Sequence, residues 1–109
     1  MKKQPKVEAG SGNVFEDLGY SNAADALFKA RLAQRIATVI QARKLSQAQA
    51  AQILHADQPK ISKLLRGQLR EFSTDRLIQF LLALGQDVEV KIRNRRSTRR
   101  RGALLVLSE

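Results

Sequence analysis

The sequence predicts an all-α domain of four to five helices that ends in one C-terminal β-strand. Up to Gly85, apolar residues recur at spacings of three and four, as in amphipathic helices. After Gly85 the spacing becomes two, which is typical of a half-buried strand. A length of 109 residues suits one small domain with tails. We therefore predict an N-terminal arm over 1–20, a folded domain over 21–92 and a basic tail over 93–109.

The composition excludes several classes of protein. The chain has no Cys and a single His, His55, which excludes a disulfide scaffold, a thiol nucleophile and a zinc site built from Cys or several His. Its apolar runs are far shorter than the roughly 20 residues of a membrane span, and the basic N-terminus lacks the apolar stretch of a secretory signal. We expect a cytoplasmic protein that is not an enzyme, needs no cofactor or metal and does not bind membranes.

The charge points to a polyanionic partner. Lys and Arg total 20 against 10 Asp and Glu, and the net charge is +10. Residues 23–57 and 58–85 each carry +3, and residues 86–109 carry +4, so the bases are not confined to one tail. Such an excess, spread over the folded part, most often indicates nucleic-acid binding.

The first predicted helix begins after an N-cap at Ser21 or Asn22, because Gly19 should end any earlier turn. It runs without Gly or Pro to Lys44. Its apolar stripe comprises Leu27, Ala30, Ala33, Ile36, Ala37 and Ile40.

Two short helices follow, separated by the turn at 55–57. Ser46 is the predicted N-cap of the first, over Gln47 to Leu54. Asp57 is the predicted N-cap of the second, which has Pro59 in its first turn and ends near Arg66, before Gly67.

The last predicted helix spans residues 75–84, with Ser73 or Thr74 as its N-cap. In residues 88–92, Val and Ile alternate with charged residues, which predicts the C-terminal strand. The apolar stretch 103–107 could form a second strand.

The two short helices carry the functional prediction. Ala51 is small enough to let them cross closely, and Ile61 and Leu64 should point the second helix into the core. Side chains that can bond base edges or phosphates in a major groove then face outward. These side chains are Gln58, Lys60, Ser62 and Lys63. The same pattern could also belong to an ordinary helical bundle.

The stretch "LSQAQAAQILHADQPKISKLLRG", from Leu45 to Gly67, resembles the helix-turn-helix of the Xre/Cro family of phage repressors and their relatives. The positions that match are Ser46-Gln47, Ala51, Ile61, Leu64 and Gly67. The chain departs from the pattern at His55, where the family usually has Gly in a left-handed conformation. The resemblance implies a lambda-repressor-like fold and binding to double-stranded DNA.

A wider likeness, over residues 10–92, is to HigA-type antitoxins of bacterial toxin–antitoxin operons. It rests on "GSGNVFEDLG", "FSTDRLIQFLLALG" and "QDVEVKI". It implies a homodimer that represses its own operon at a palindromic operator, and a ribonuclease toxin as a further partner. The alternative function is an interaction protein that neutralises a toxin, with DNA binding secondary.

Matching motif positions assign the DNA contacts. Lys63 and Gln58 should read bases, and Gln47 should bind a phosphate beside a helix N-terminus. The full predicted set is Gln47, Gln58, Pro59, Lys60, Ser62, Lys63 and Arg66. The arginine run at 95–101 is a solvated tail or a phosphate-binding arm, and we expect it to add affinity without specificity.

Overall fold

The computed structural model describes residues 17–94 and 102–107, and this part of the chain is all-helical. Its four helices are α1 (Asp17–Ala42), α2 (Gln47–Leu54), α3 (Gln58–Leu65) and α4 (Thr74–Ala83). The predicted all-α class is confirmed, as are the bounds of α2. No helix within the described ranges is both long and apolar enough to cross a membrane.

Helix α1 differs from its prediction at the N-terminal end. Gly19 and the predicted N-caps Ser21 and Asn22 lie inside the helix, so the predicted start is wrong. One Gly within a helix costs about 1 kcal/mol relative to Ala, which a 26-residue helix tolerates. Residues 1–16 of the predicted arm lie outside the described part of the chain.

Side-chain caps begin the three shorter helices as the sequence predicts. The Ser46 hydroxyl accepts a hydrogen bond of 3.0 Å from the Gln49 N–H, and the Gln49 side chain accepts one of 2.8 Å from the Ser46 N–H. This reciprocal pair is a capping box. Asp57 and Ser73 each accept a 3.1 Å bond from the N–H three residues further on. The structure thus selects Ser73 over Thr74 as the N-cap of α4.

Glycines end α3 and α4 in the left-handed region. Gly67 has φ 79° and Gly85 has φ 81°, a conformation that glycine adopts at little steric cost. The predicted stop of α3 before Gly67 is confirmed, and Gly85 directly follows Leu84, the C-cap of α4.

The core forms where α1 packs along α4 and α2 packs against α3. Ile36 of α1, Ile61 of α3 and Leu77 of α4 are completely buried. Ala50 and Ala51 of α2 are also buried, and their small side chains permit close helix packing. The core therefore holds α2 and α3 in a fixed relation to the longer helices.

The N-terminal half of α1 departs from the predicted apolar stripe. Leu27 is 57% exposed, and Ala30 is exposed as well. At 1.5 Å per residue, α1 is about 39 Å long and the other helices are about 12–15 Å. The shorter helices therefore cover only part of α1, and its buried residues begin at Leu32.

The predicted C-terminal strand is absent from residues 85–94, and residues 102–107 form no strand either. Val88 is half-buried against the core, but Val90 and Ile92 are 83% and 90% exposed. A strand needs a neighbour to satisfy its backbone hydrogen bonds, and the described residues offer none. The predicted C-terminal strand is for that reason not seen in the single chain.

Candidate nucleic-acid interface

The turn between α2 and α3 ends α2 with hydrogen bonds from its first two residues. The N–H of Ala56 donates to the carbonyl oxygen of Ala51 at 3.0 Å, and the N–H of His55 donates to that of Gln52 at 3.4 Å. These two bonds form a Schellman motif, whose central residue is left-handed. His55 has φ 53° and ψ 43°, so it adopts the conformation expected at this position.

Helix α3 has one buried face and one polar face. Ile61 and Leu64 are 0% and 2% exposed, which confirms their predicted place in the core. The polar residues occupy the rest of the helix surface: Gln58, Pro59 and Arg66 are exposed, and Lys60, Ser62 and Lys63 are half-buried.

Lys63 forms an ion pair that links α3 to the loop before α4. Its Nζ donates a hydrogen bond of 3.0 Å to Oε2 of Glu71, and the two side chains are 39% and 52% exposed. This hydrogen bond, followed by the positive charge of Lys63, holds the pKa of Glu71 below its ordinary value of 4.5. The more distant charge of Lys60 acts in the same direction, and burial and Asp57 oppose it.

The next loop residue contacts the other lysine of α3. Lys60 Nζ lies 5.9 Å from the centroid of the Phe72 ring, within the range of a cation–π interaction. Phe72 is 2% exposed, and its ring meets that of Phe80 edge-on at 6.1 Å between centroids. The loop therefore positions both lysines.

Sequence reasoning missed Glu71 and Phe72. Helical spacing rules pair residues three or four apart, and Lys63 and Glu71 are eight apart with a helix end between them. The available signal was an acid in an otherwise basic stretch, since the residues between Asp57 and Phe72 include four bases and a single acid, Glu71.

Gln47, the remaining predicted contact, lies on a different helix. It is the first residue of α2 and is exposed. The N-terminal turn of a helix presents unpaired N–H groups and a partial positive charge, which together suit a phosphate. Within residues 17–94 and 102–107, acidic and histidine side chains form no cluster of three that could hold a metal.

Comparison with known proteins agrees with this geometry. A family model described as a helix-turn-helix domain matches residues 14–93. A solved structure assigned to the XRE family of transcriptional regulators is 40% identical, with a TM-score of 0.76, over 81% of this chain and 99% of the other. The chain belongs to the XRE family. No curated protein matches it.

Membership of the XRE family confirms the helix-turn-helix and the Xre/Cro resemblance predicted from Leu45 to Gly67. This XRE-family protein is a DNA-binding transcriptional regulator, and α3 occupies the position of the recognition helix, the second helix of the motif.

Proposed function

We propose that this XRE-family regulator is a repressor that binds a palindromic operator as a homodimer and controls its own operon. The observation that carries the proposal is the orientation of α3. Burial of Ile61 and Leu64 leaves the helix's polar and basic side chains on the outer surface, as a major-groove reader requires.

Three side chains receive a DNA-binding role from their place on the two motif helices. Gln58, exposed in the first turn of α3, and Lys63 read base edges. Gln47, at the N-terminus of α2, binds a phosphate. The supporting contacts are Pro59, Lys60, Ser62 and Arg66.

The proposal of a dimer rests on the length of α3. Eight residues span about 12 Å and can read only a few base pairs. Two copies of α3 about 34 Å apart would read a palindrome across one turn of DNA.

Residues 88–92 are the proposed dimer contact. They make no backbone hydrogen bond with another described residue, and Val90 and Ile92 are largely exposed. Antiparallel pairing with the same segment of a second copy would satisfy the backbone and shelter these apolar side chains.

Selection of duplexes from a random library tests the DNA-binding part of the proposal. We expect a palindromic duplex to emerge. Lys63→Ala should weaken binding to it by about 1–3 kcal/mol and reduce discrimination at one base pair.

The matched control is Lys29→Ala, which removes a lysine that pairs with Asp25 on α1 at 3.8 Å. Equal loss on selected and random duplexes would make Lys63 a phosphate contact instead, and the absence of a preferred duplex would contradict sequence-specific binding.

Two further measurements address repression and dimerisation. The protein supplied in trans should lower transcription from the promoter of its own operon, and a rise would identify an activator. Sedimentation should show a dimer at micromolar concentration. A dimer that survives deletion of residues 86–109 would exclude residues 88–92 as the contact.

A second candidate function is neutralisation of a toxin encoded beside the gene. It is favoured by a groove away from the motif, where Leu27 of α1 and residues 104–107 supply apolar lining beside polar residues of α1. Leu104, Leu105 and Leu107 are between 64% and 87% exposed.

Coexpression of this protein should restore the growth of cells that produce the toxin encoded by the neighbouring gene. Leu105→Ser should abolish this rescue, whereas Lys63→Ala should retain it. Failure of the wild-type chain to restore growth would exclude this function.

A further inference from the structure

An acidic side chain sits beside the DNA-reading surface. Glu71 lies outside the helix-turn-helix, yet its carboxylate contacts the ammonium of Lys63 at 3.0 Å. A carboxylate at this position repels phosphates and therefore opposes DNA binding in general.

The ion pair does little for stability. Both side chains are more than one-third exposed, and exposed pairs contribute little because water screens them and ordering two side chains costs entropy. The pair is therefore better explained by its effect on what Lys63 can bind.

We propose that Glu71 is a specificity-determining, positioning residue that restrains Lys63 so that it binds a base edge in preference to a phosphate. The inference rests on the proposed function. A lysine ammonium on a flexible stem binds any phosphate within reach. The Lys63 ammonium is held by Glu71. To bind a phosphate it must either leave the Glu71 carboxylate or bring that carboxylate close to the phosphate, and the two negative groups repel each other.

Binding to a base edge does not require Lys63 to leave Glu71. The ammonium has three N–H donors, so one remains with Glu71 while the others point to acceptors in the major groove. Guanine presents two adjacent acceptors there, N7 and O6, and is the base that lysine most often reads. With Glu71 in place, Lys63 therefore binds a guanine at one position of each half-site in preference to a phosphate.

The test is Glu71→Gln, which keeps the shape of the side chain and removes its charge. Freed from the carboxylate, Lys63 should neutralise one more phosphate per subunit on a random-sequence duplex. The slope of log K against log salt should then steepen by about 0.9 per subunit, which corresponds to about fivefold tighter binding near 0.15 M salt. Affinity for the duplex selected by the wild-type protein should rise less, so the selected-to-random ratio should fall, and the preference for G·C at the Lys63 position should weaken.

Asp25→Asn is the matched control. Asp25 forms a carboxylate–lysine pair with Lys29 on α1, so this variant changes the net charge by the same amount outside the motif. The two variants should differ in salt slope and selectivity. Indistinguishable behaviour would overturn the inference, since the effect would then come from net charge alone.

A second background tests whether Glu71 acts through Lys63. In Lys63→Met protein, the change Glu71→Gln should steepen the salt slope clearly less, since no lysine is released and only the repulsion between the carboxylate and the phosphates is lost. The same steepening in that background would overturn the inference.

A failure of the proposed function can be distinguished from a failure of the role proposed for Glu71. If the wild-type protein selects no preferred duplex, sequence-specific binding and the inference built on it are both wrong. If it selects one and Glu71→Gln leaves the slope and the selected-to-random ratio unchanged, only the role of Glu71 is wrong.

Discussion

Arg43, just beyond the end of α1, donates a hydrogen bond of 3.1 Å from Nη1 to the carbonyl oxygen of Leu84, the C-cap of α4. A second contact lies nearby, from Nη2 of Arg35 to the side-chain oxygen of Gln86 at 3.4 Å. A cation at a helix C-terminus satisfies unpaired carbonyl groups and complements the helix dipole. Two arginines of the α1 region thus hold the end of α4 against the domain.

Arg43→Met should therefore lower the free energy of unfolding by about 1–2 kcal/mol, since a charge-assisted hydrogen bond is lost while the aliphatic stem is kept. Urea denaturation would measure the change. Arg70→Met is the control, because Arg70 is exposed and makes no hydrogen bond or ion pair with another described residue; its effect should stay within about 0.5 kcal/mol. Equal losses would contradict a specific role for the bond to Leu84.

Substitutions of His55 should change stability in opposite directions. At φ 53°, Gly relieves the steric cost of a left-handed residue but adds entropy to the unfolded chain, so His55→Gly should stabilise the domain by up to about 1 kcal/mol. A β-branched side chain suits this conformation poorly, and His55→Val should destabilise it by about 1–2 kcal/mol. Thermal unfolding would compare the variants, and a stabilising Val would contradict the left-handed turn.

Phe72 should be among the most sensitive positions in the domain. Phe72→Ala removes a buried ring together with its edge-on contact to Phe80, and should cost about 3–5 kcal/mol. Leu82, which is 53% exposed on α4, is the control, and Leu82→Ala should cost less than about 1 kcal/mol. Chemical denaturation gives both values, and similar losses would contradict the burial of Phe72.

The Glu71 carboxyl should titrate below its ordinary pKa of 4.5 in the wild-type protein and closer to that value in Lys63→Met. A depressed carboxyl pKa adds stability that is present above the unfolded-state value and is lost as the pH falls through the folded-state value. Any contribution of the pair is therefore present at neutral pH, begins to fall as the pH drops below 4.5, and is gone once the pH is below the lowered folded-state pKa. NMR titration of the Glu71 side chain would measure both values, and equal values in the two proteins would show that the pair does not form in solution.

The arginine run at 95–101, outside the described residues, should act on affinity alone. Replacing its five Arg by Gln is preferable to deleting the tail, because Val106 packs against the core. If two or three of the Arg contact phosphates, the salt slope should fall by about two to three per subunit. The selected-to-random ratio should stay constant, and a change in it would indicate that the tail reads a groove.

Local rules predicted the centre of the molecule well. The caps at Ser46 and Asp57 depend on groups three residues away, and the burial of Ile61 and Leu64 follows from one helix face; both can be read from neighbouring residues. The conformation of His55 was likewise predictable from the motif position.

Contacts between distant residues escaped those rules. The Lys63–Glu71 pair depends on the path of the loop between α3 and α4, which no sequence periodicity specifies. The exposure of Leu27 depends on how far the other helices extend along α1. The alternation in residues 88–92 predicted a strand, but a strand also requires a neighbour, which periodicity alone cannot supply.

The other helices bury only the C-terminal part of α1, so the two parts of this helix should differ in how readily their backbone hydrogen bonds break. Residues 32–40 include five core positions, whereas none of residues 23–31 is buried. Amide hydrogens in residues 24–31 can therefore exchange with solvent through local fraying that leaves the core intact, while those in residues 36–40 exchange through global unfolding. We therefore expect the outer half of α1, where Phe28 alone of residues 23–31 packs against the core, to open before the rest without disturbing the placement of α3.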